Sequence, residues 1–216
     1  MTTRNKDKIR ALLKSIETGD SDAVSVVNEA RYIQHNPQTH EGSEGLSALF
    51  ARLAKTNPRV NVVRAFEDGD FVFAHTEYDF ASRRIVFELF RFEDGQAVEH
   101  WDNIQTREGP NPSGRSMVDG PTEAMDHEHT DANRACAAEF VSEVLIGGAF
   151  DRLDAFTTGE TLIQHDPALP DGAAAWREAL ALPASELRSL RYDRLHRTCA
   201  EGNFAMCQCE GRLGGE

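Results

Sequence analysis

The chain has 216 residues, with 36 acidic against 23 basic side chains, a net charge of −13, and 40% hydrophobic content. That apolar content is enough for one large domain or two small ones, and so acidic a surface disfavours nucleic acid and anionic membranes as partners. No run approaches the ~20 apolar residues of a spanning helix, and the first eight residues lack the apolar core of an export signal, so a cytoplasmic protein with reduced thiols is expected.

The first expected element is a helix over Lys6–Thr18, where Ile9, Leu12, Leu13 and Ile16 recur at helical spacing and Gly19 supplies the stop. Asp20 or Ser21 can cap a short second helix that buries Ala23, Val24 and Val27. An extended piece, Arg31–Pro37, follows, because Pro37 biases Asn36 away from helix. Ser43 can cap a third helix carrying Leu46, Leu49, Phe50 and Leu53, ended by Asn57-Pro58. Strands are then expected over Val60–Glu67 and Phe71–Phe80, joined at Asp68-Gly69, and over Ile85–Phe92 and Ala97–Gln105, joined at Asp94-Gly95. An Asp-Gly pair between β-rich arms signals a tight hairpin. Helices followed by an antiparallel meander read as an α+β fold, with helices laid across a curved sheet to form a cone.

The final hairpin holds the chemistry. Strand side chains alternate, so Val98, His100, Asp102 and Ile104 share one face, and Glu88 sits between Val86 and Phe90 on the other arm. Ionisable groups on an apolar face are costly unless paired, hydrated or used. Convergence of His35, His75 and His100 with Asp102 is expected, with Tyr32 and Glu88 as additions, inside a cone that suits a small molecule. Such a set suggests proton transfer, since burial and neighbouring imidazoles tune a carboxyl such as Asp102. Structural roles compete: His75 shares a face with Phe71 and Phe73, His35 and Asn36 can serve only the turn at Pro37, and Trp101 faces away. A zinc held by His35, His100 and Asp102 is conceivable, but no motif places two ligands at helical spacing, so no metal is expected.

The stretch Thr106–Thr130 is rich in Gly and Pro and polar near His127 and His129, which read as linker rather than metal ligands. Beyond it the pattern repeats. Tyr32-Ile-Gln-His-Asn-Pro37 returns as Leu162-Ile-Gln-His-Asp-Pro167, Ala132–Leu145 repeats the first helix, and Trp176, Ala179 and Leu180 stand where Leu46, Leu49 and Phe50 stood. Glu201–Glu210 resembles Asp68–Glu77, with Gln208 in the place of His75. The second hairpin has no counterpart, so an exposed sheet edge is expected, covered by the first unit or a second chain unless the second unit is loosely ordered. The organisation expected is a complete unit at 1–108, a linker at 109–130 and an incomplete second unit at 131–216. Cys136, Cys199, Cys207 and Cys209 all lie past the first unit; Cys-x-Cys is not the usual zinc knuckle, and inert thiols are expected.

Tyr32-Ile-Gln-His-Asn-Pro37 and Phe87–Gln105, with its Glu99-His-Trp-Asp102 core, resemble the SnoaL-like polyketide cyclases of the nuclear transport factor 2-like superfamily. The resemblance covers residues 1–108 well and 131–212 partly, making the chain a tandem with an incomplete second copy. It implies a cone-shaped α+β fold, dimers across the sheet face, and aldol-type cyclisation or isomerisation of a carbonyl-bearing small molecule without metal or organic cofactor. On matching positions Asp102 and His35 would be catalytic, with His75 and His100 as additions; Tyr32 and Glu88, from the reading of the residues themselves, complete the expected pocket. The same superfamily contains isomerases, epoxide hydrolases and non-catalytic binding modules, so a ligand-binding or assembly module is the alternative.

Overall fold

The computed structural model describes residues 3–37, 42–157, 162–182 and 190–213. They form two compact units, Met1–Arg107 with Gly120–Glu123, and Glu108–Asp119 with Ala124–Glu216.

In the first unit, helix α1 (Asn5–Thr18) buries the expected stripe of Ile9, Leu12, Leu13 and Ile16. Each such side chain contributes roughly 1.5–3 kcal/mol on leaving water. Gly19 ends the helix at φ 74°, a left-handed conformation that glycine adopts without strain, and its N–H donates to the Ser15 carbonyl. The Asp20 side chain caps a 3-10 helix, Ser21–Val26, that buries Val24. After β1 (Ile33–Gln34), helix α2 spans Gly42–Leu53 and runs into a 3-10 turn that stops at Asn57, φ 53°. Ser43, expected as the cap of this helix, falls within it instead, because the helix begins at Gly42.

Four long strands follow: β2 (Arg59–Asp68), β3 (Phe71–Asp79), β4 (Arg83–Glu93) and β5 (Gln96–Thr106). They form an antiparallel meander, and Asp94-Gly95 makes the β4–β5 turn with both φ values positive. The sheet order is β1-β5-β4-β3-β2. Sequence pattern did not indicate that β1 pairs with β5, in parallel, with Gln34 opposite His100. Register shifts at Val62/Arg64 and Arg91/Phe92 add local twist and bend. Register fixes the faces, because directly opposed residues point the same way. Ala74, Glu88 and Asp102 form one row, and Val72, Phe90 and His100 the next. This face meets the helices, where Val72, Val86 and Phe90 join the α1 stripe in one core. The other face carries His75, Phe73 and Phe87, with the Phe87 ring in contact with both of the others.

Helix α1 is also tied to the sheet edge. Glu17 accepts the Val60 N–H at 2.8 Å, and Lys14 donates to the Val60 carbonyl at 2.9 Å. The Lys14 ammonium and the Val60 N–H hold the Glu17 carboxyl down at about 2.

In the second unit, α3 (Thr130–Phe140) continues as a wider π-turn through Ile146, and α4 spans Ala173–Leu180. Strands β6 (Leu190–Glu201) and β7 (Phe204–Leu213) form an antiparallel pair. Val144, Leu153 and Ala173 make a small core with Phe140, Phe156 and Trp176. The segment expected as a solvated linker, 109–130, is partly built into this unit. Asn111 is 4% exposed, donates to the Gln164 and Leu169 carbonyls, and accepts the Ser113 and Arg115 N–H groups. One asparagine thus satisfies four backbone groups, which lets an irregular Pro/Gly-rich stretch be buried. His127 and His129 lie on an exposed single turn. Burial pushes the Cys207 and Cys209 thiols up, which favours their protonated form.

Candidate active site

A cavity of about 450 Å³ opens in the first unit between the sheet and the helices. Leu12, Leu13 and Ile16 of α1 and Leu46, Leu49, Phe50 and Leu53 of α2 line its apolar wall. The sheet wall carries Tyr32, Gln34 and Asn36 around β1, Tyr78 on β3, Glu88 on β4, and His100 and Asp102 on β5. Glu88 and His100, 5% and 6% exposed, lie deep, whereas Ile104 at 54% and Arg52 mark the mouth.

The deep groups form one hydrogen-bonded chain. Gln34 Oε1 accepts the Asn36 N–H at 3.0 Å, which fixes the amide so that its oxygen faces His100 Nδ1 at 2.9 Å. An oxygen only accepts, so Nδ1 carries a proton. His100 Nε2 then meets Glu88 Oε2 at 2.7 Å, a hydrogen bond with one proton between the two atoms. The other Glu88 oxygen accepts the Tyr78 hydroxyl at 2.6 Å. Burial and the Glu88 charge push the Tyr78 phenol well up, so it remains a donor.

Asp102 stands directly opposite Glu88 across the β4–β5 ladder. Burial, then the Glu88 charge, raise its carboxyl above the ordinary aspartate range; the Asn36 Nδ2 bond to Oδ2, at 2.6 Å, and His100 oppose this. Tyr32 is 4% exposed, and among the described residues its hydroxyl meets no hydrogen-bond partner of good geometry, although Gln34 is close enough to lower its proton affinity slightly against the larger opposing effects. Burial, Glu88 and Asp102 push this phenol far above its usual range, leaving a protonated donor on the cavity wall.

Tyr32, Glu88, His100 and Asp102 therefore come together. His35 does not join them. It stacks on Trp101 with ring centres 4.9 Å apart, and its Nε2 lies 2.9 Å from Glu99, which is bonded to Arg91. Burial pushes the Glu99 carboxyl up, but His35 and Arg91 outweigh it and hold it below its usual range. His35 follows Gln34, whose side chain faces the cavity, so the pleat turns its ring to the other side. His75 pairs in register with Phe87, on the face away from the helices, and packs edge-on against that ring. Gln34, Asn36 and Tyr78 were not singled out as pocket groups from sequence. The alternation that turns Glu88 inward also turns Ala74, Thr76 and Tyr78 inward and His75 outward, so register was the available signal.

Glu88, His100 and Asp102 each offer a ligand atom, all within 4.8 Å of one another. Their outer atoms are held by Tyr78, Gln34 and Asn36, an arrangement compatible with a divalent ion. An ion there would have to displace the proton that Glu88 and His100 share.

Residues 9–100 match the family model of the SnoaL-like domain. The first unit is a SnoaL-like domain. Solved structures similar to this chain include TsrD from Streptomyces laurentii, at 21% identity over 48% of this chain and 92% of that one, with a TM-score of 0.40. An NTF-2 like protein from Burkholderia xenovorans LB400 aligns at 17% identity over 50% of this chain and 88% of its own, with a TM-score of 0.44. A LEH-like epoxide hydrolase of M. tuberculosis aligns at 17% identity over 47% and 82%, with a TM-score of 0.41. Among curated proteins none matches. The SnoaL-like assignment supports a small-molecule enzyme or binding module at the level of the family. Among the described residues, no helix is long and apolar enough to cross a membrane.

Proposed function

We propose that the SnoaL-like unit binds a small carbonyl compound and moves a proton on and off the carbon beside the carbonyl. The observation that carries this is an aspartate of raised proton affinity beside a tyrosine hydroxyl that has no good hydrogen-bond partner among the described residues, both on one wall of a cavity whose helix side is largely apolar. Ionised Asp102 takes the α-proton. The C–H pair moves into the C–C bond, and the carbonyl pair onto oxygen, where the Tyr32 O–H donates a hydrogen bond. The Glu88–His100 pair holds Gln34 and Tyr78 in place and sets the local charge. Asp102 then returns its proton to another carbon, an isomerisation, or to the alkoxide formed when the enolate attacks a second carbonyl, an aldol closure. His100, and not the expected His35, is the imidazole of the pocket, where it positions the polar groups, and no step needs a metal or organic cofactor.

The test is exchange of the α-protons of 1-tetralone into heavy water, followed by NMR. The protein accelerates the exchange. Asp102→Asn preserves shape and Asn36 contact but removes the base, and lowers the rate at least ~100-fold. The rate rises with pH through the raised Asp102 ionisation, since the ionised form is the base. Tetralone binding without accelerated exchange would instead favour a non-catalytic binding module of the same fold.

A further inference from the structure

Arg52 on α2 and Arg84 on β4 both line the cavity, in a chain whose net charge is −13. In the same unit Arg31, Arg59, Arg83, Arg91 and Arg107 all sit in ion pairs with Glu or Asp. Arg52 and Arg84 have no acidic partner among the described residues. Arg84 is instead oriented by a hydrogen bond from its Nη1 to Thr106 Oγ1 at 2.7 Å, which leaves the rest of its guanidinium fork unspent. With 36 carboxylates on the chain, two cations left without one on a cavity wall mark where an external anion fits.

We infer that the ligand of this cavity is an elongated, largely apolar monoanion whose acidic end is held at the mouth by Arg52 and Arg84. This rests on the reading of the cavity as a substrate pocket and deepens it. Arg84 and Glu88 share the cavity face of one strand, four residues apart, so the two ends are about 13 Å from each other along the strand. The deep end is acidic, with Glu88 and Asp102 directly opposed, and repels a second negative charge. The apolar middle takes hydrocarbon. One molecule thus enters in one orientation: uncharged carbonyl inward, carboxylate, sulfonate or phosphate outward. The arginines act as specificity determinants and touch no reacting atom.

A matched pair of fluorescent probes tests this: the anion 8-anilinonaphthalene-1-sulfonate and its uncharged analogue N-phenyl-1-naphthylamine, titrated into the full chain. The anion binds at least tenfold more tightly, and the preference shrinks as salt rises. In the double variant Arg52→Gln/Arg84→Gln the preference falls to within twofold, while the neutral probe binds as before, which also reports an intact cavity. Equal binding of both probes to the unaltered protein, a preference that survives the double variant, or failure of both probes to bind would overturn the inference. Asp102→Asn keeps the preference whether or not proton exchange is lost, so failure of the proton-transfer reading and failure of the anion site are read separately.

Discussion

Tyr32–Pro37 and Leu162–Pro167 differ at only two of six positions, and they sit in units of unequal content. In both, the glutamine Oε1 accepts the backbone N–H two residues on, from Asn36 at 3.0 Å and from Asp166 at 3.1 Å. The repeated sequence therefore encodes a local turn, which needs nothing beyond its own backbone and the proline that follows. What differs is the remaining contact of that oxygen. Gln34 meets His100 of the hairpin, whereas Gln164 meets the N–H of His165, whose ring reaches Ser116 and Asp119 instead. The described part of the second unit has a two-stranded sheet and offers no counterpart of Glu88, His100 or Asp102, and Leu162 replaces the Tyr32 phenol. A conserved-looking turn thus becomes part of a site only where a second hairpin arrives beside it.

Three experiments break or sharpen that contrast. The largest effect belongs to Glu88. Replacing it with Ala strands the buried Tyr78 hydroxyl and the His100 imidazole, which costs about 3 kcal/mol in urea unfolding of the first unit. A loss below about 1 kcal/mol would mean the pair is hydrated and not sequestered. Next come the two glutamines. Gln34→Ala and Gln164→Ala each remove a turn contact worth about 1 kcal/mol, but only Gln34→Ala slows tetralone exchange, because only Gln34 orients an imidazole. Equal effects on exchange would abolish the distinction between the turns. The smallest effect is at Glu17. Its carboxyl falls from an ordinary 4.5 to about 2 in the folded chain, held by Lys14 and Val60. The folded state therefore resists protonation: the stabilisation is full above the ordinary value and fades as pH drops toward 2. Hydrogen exchange of α1 amides should accelerate over that range, and Glu17→Gln should flatten the response.

Much of the first unit was legible because its signals are local. The α1 stripe, the Gly19 stop, the Asp20 cap and the Asp94-Gly95 turn each depend on a few adjacent residues, and alternation alone placed His100 and Asp102 on one face and set Glu88 between Val86 and Phe90 on the other arm. The histidines were harder. His35 and His75 read as pocket groups because imidazoles attract a chemical reading, yet one residue of pleat decides the side on which a ring emerges. That choice needs the register of β3 against β4 and the parallel docking of β1 on β5, and neither is written in a short window. Asn111 shows the same limit: its neighbours look like linker, and only remote carbonyls at 164 and 169 make it a buried knot.

Taken by itself, the order of residues determined which segments are helix or strand, where they turn, and that an acid and an imidazole share an apolar face beside a second acid. Those properties follow from periodicity and turn chemistry, which act over a few residues. Tertiary structure alone decided which imidazole joins Asp102, that Gln34 orients it, that the Tyr32 hydroxyl has no good partner among the described residues, and that Arg52 and Arg84 line one cavity. Each of these depends on side chains 30 to 70 positions apart meeting across strands and helices, where packing and register, rather than local preference, set the geometry.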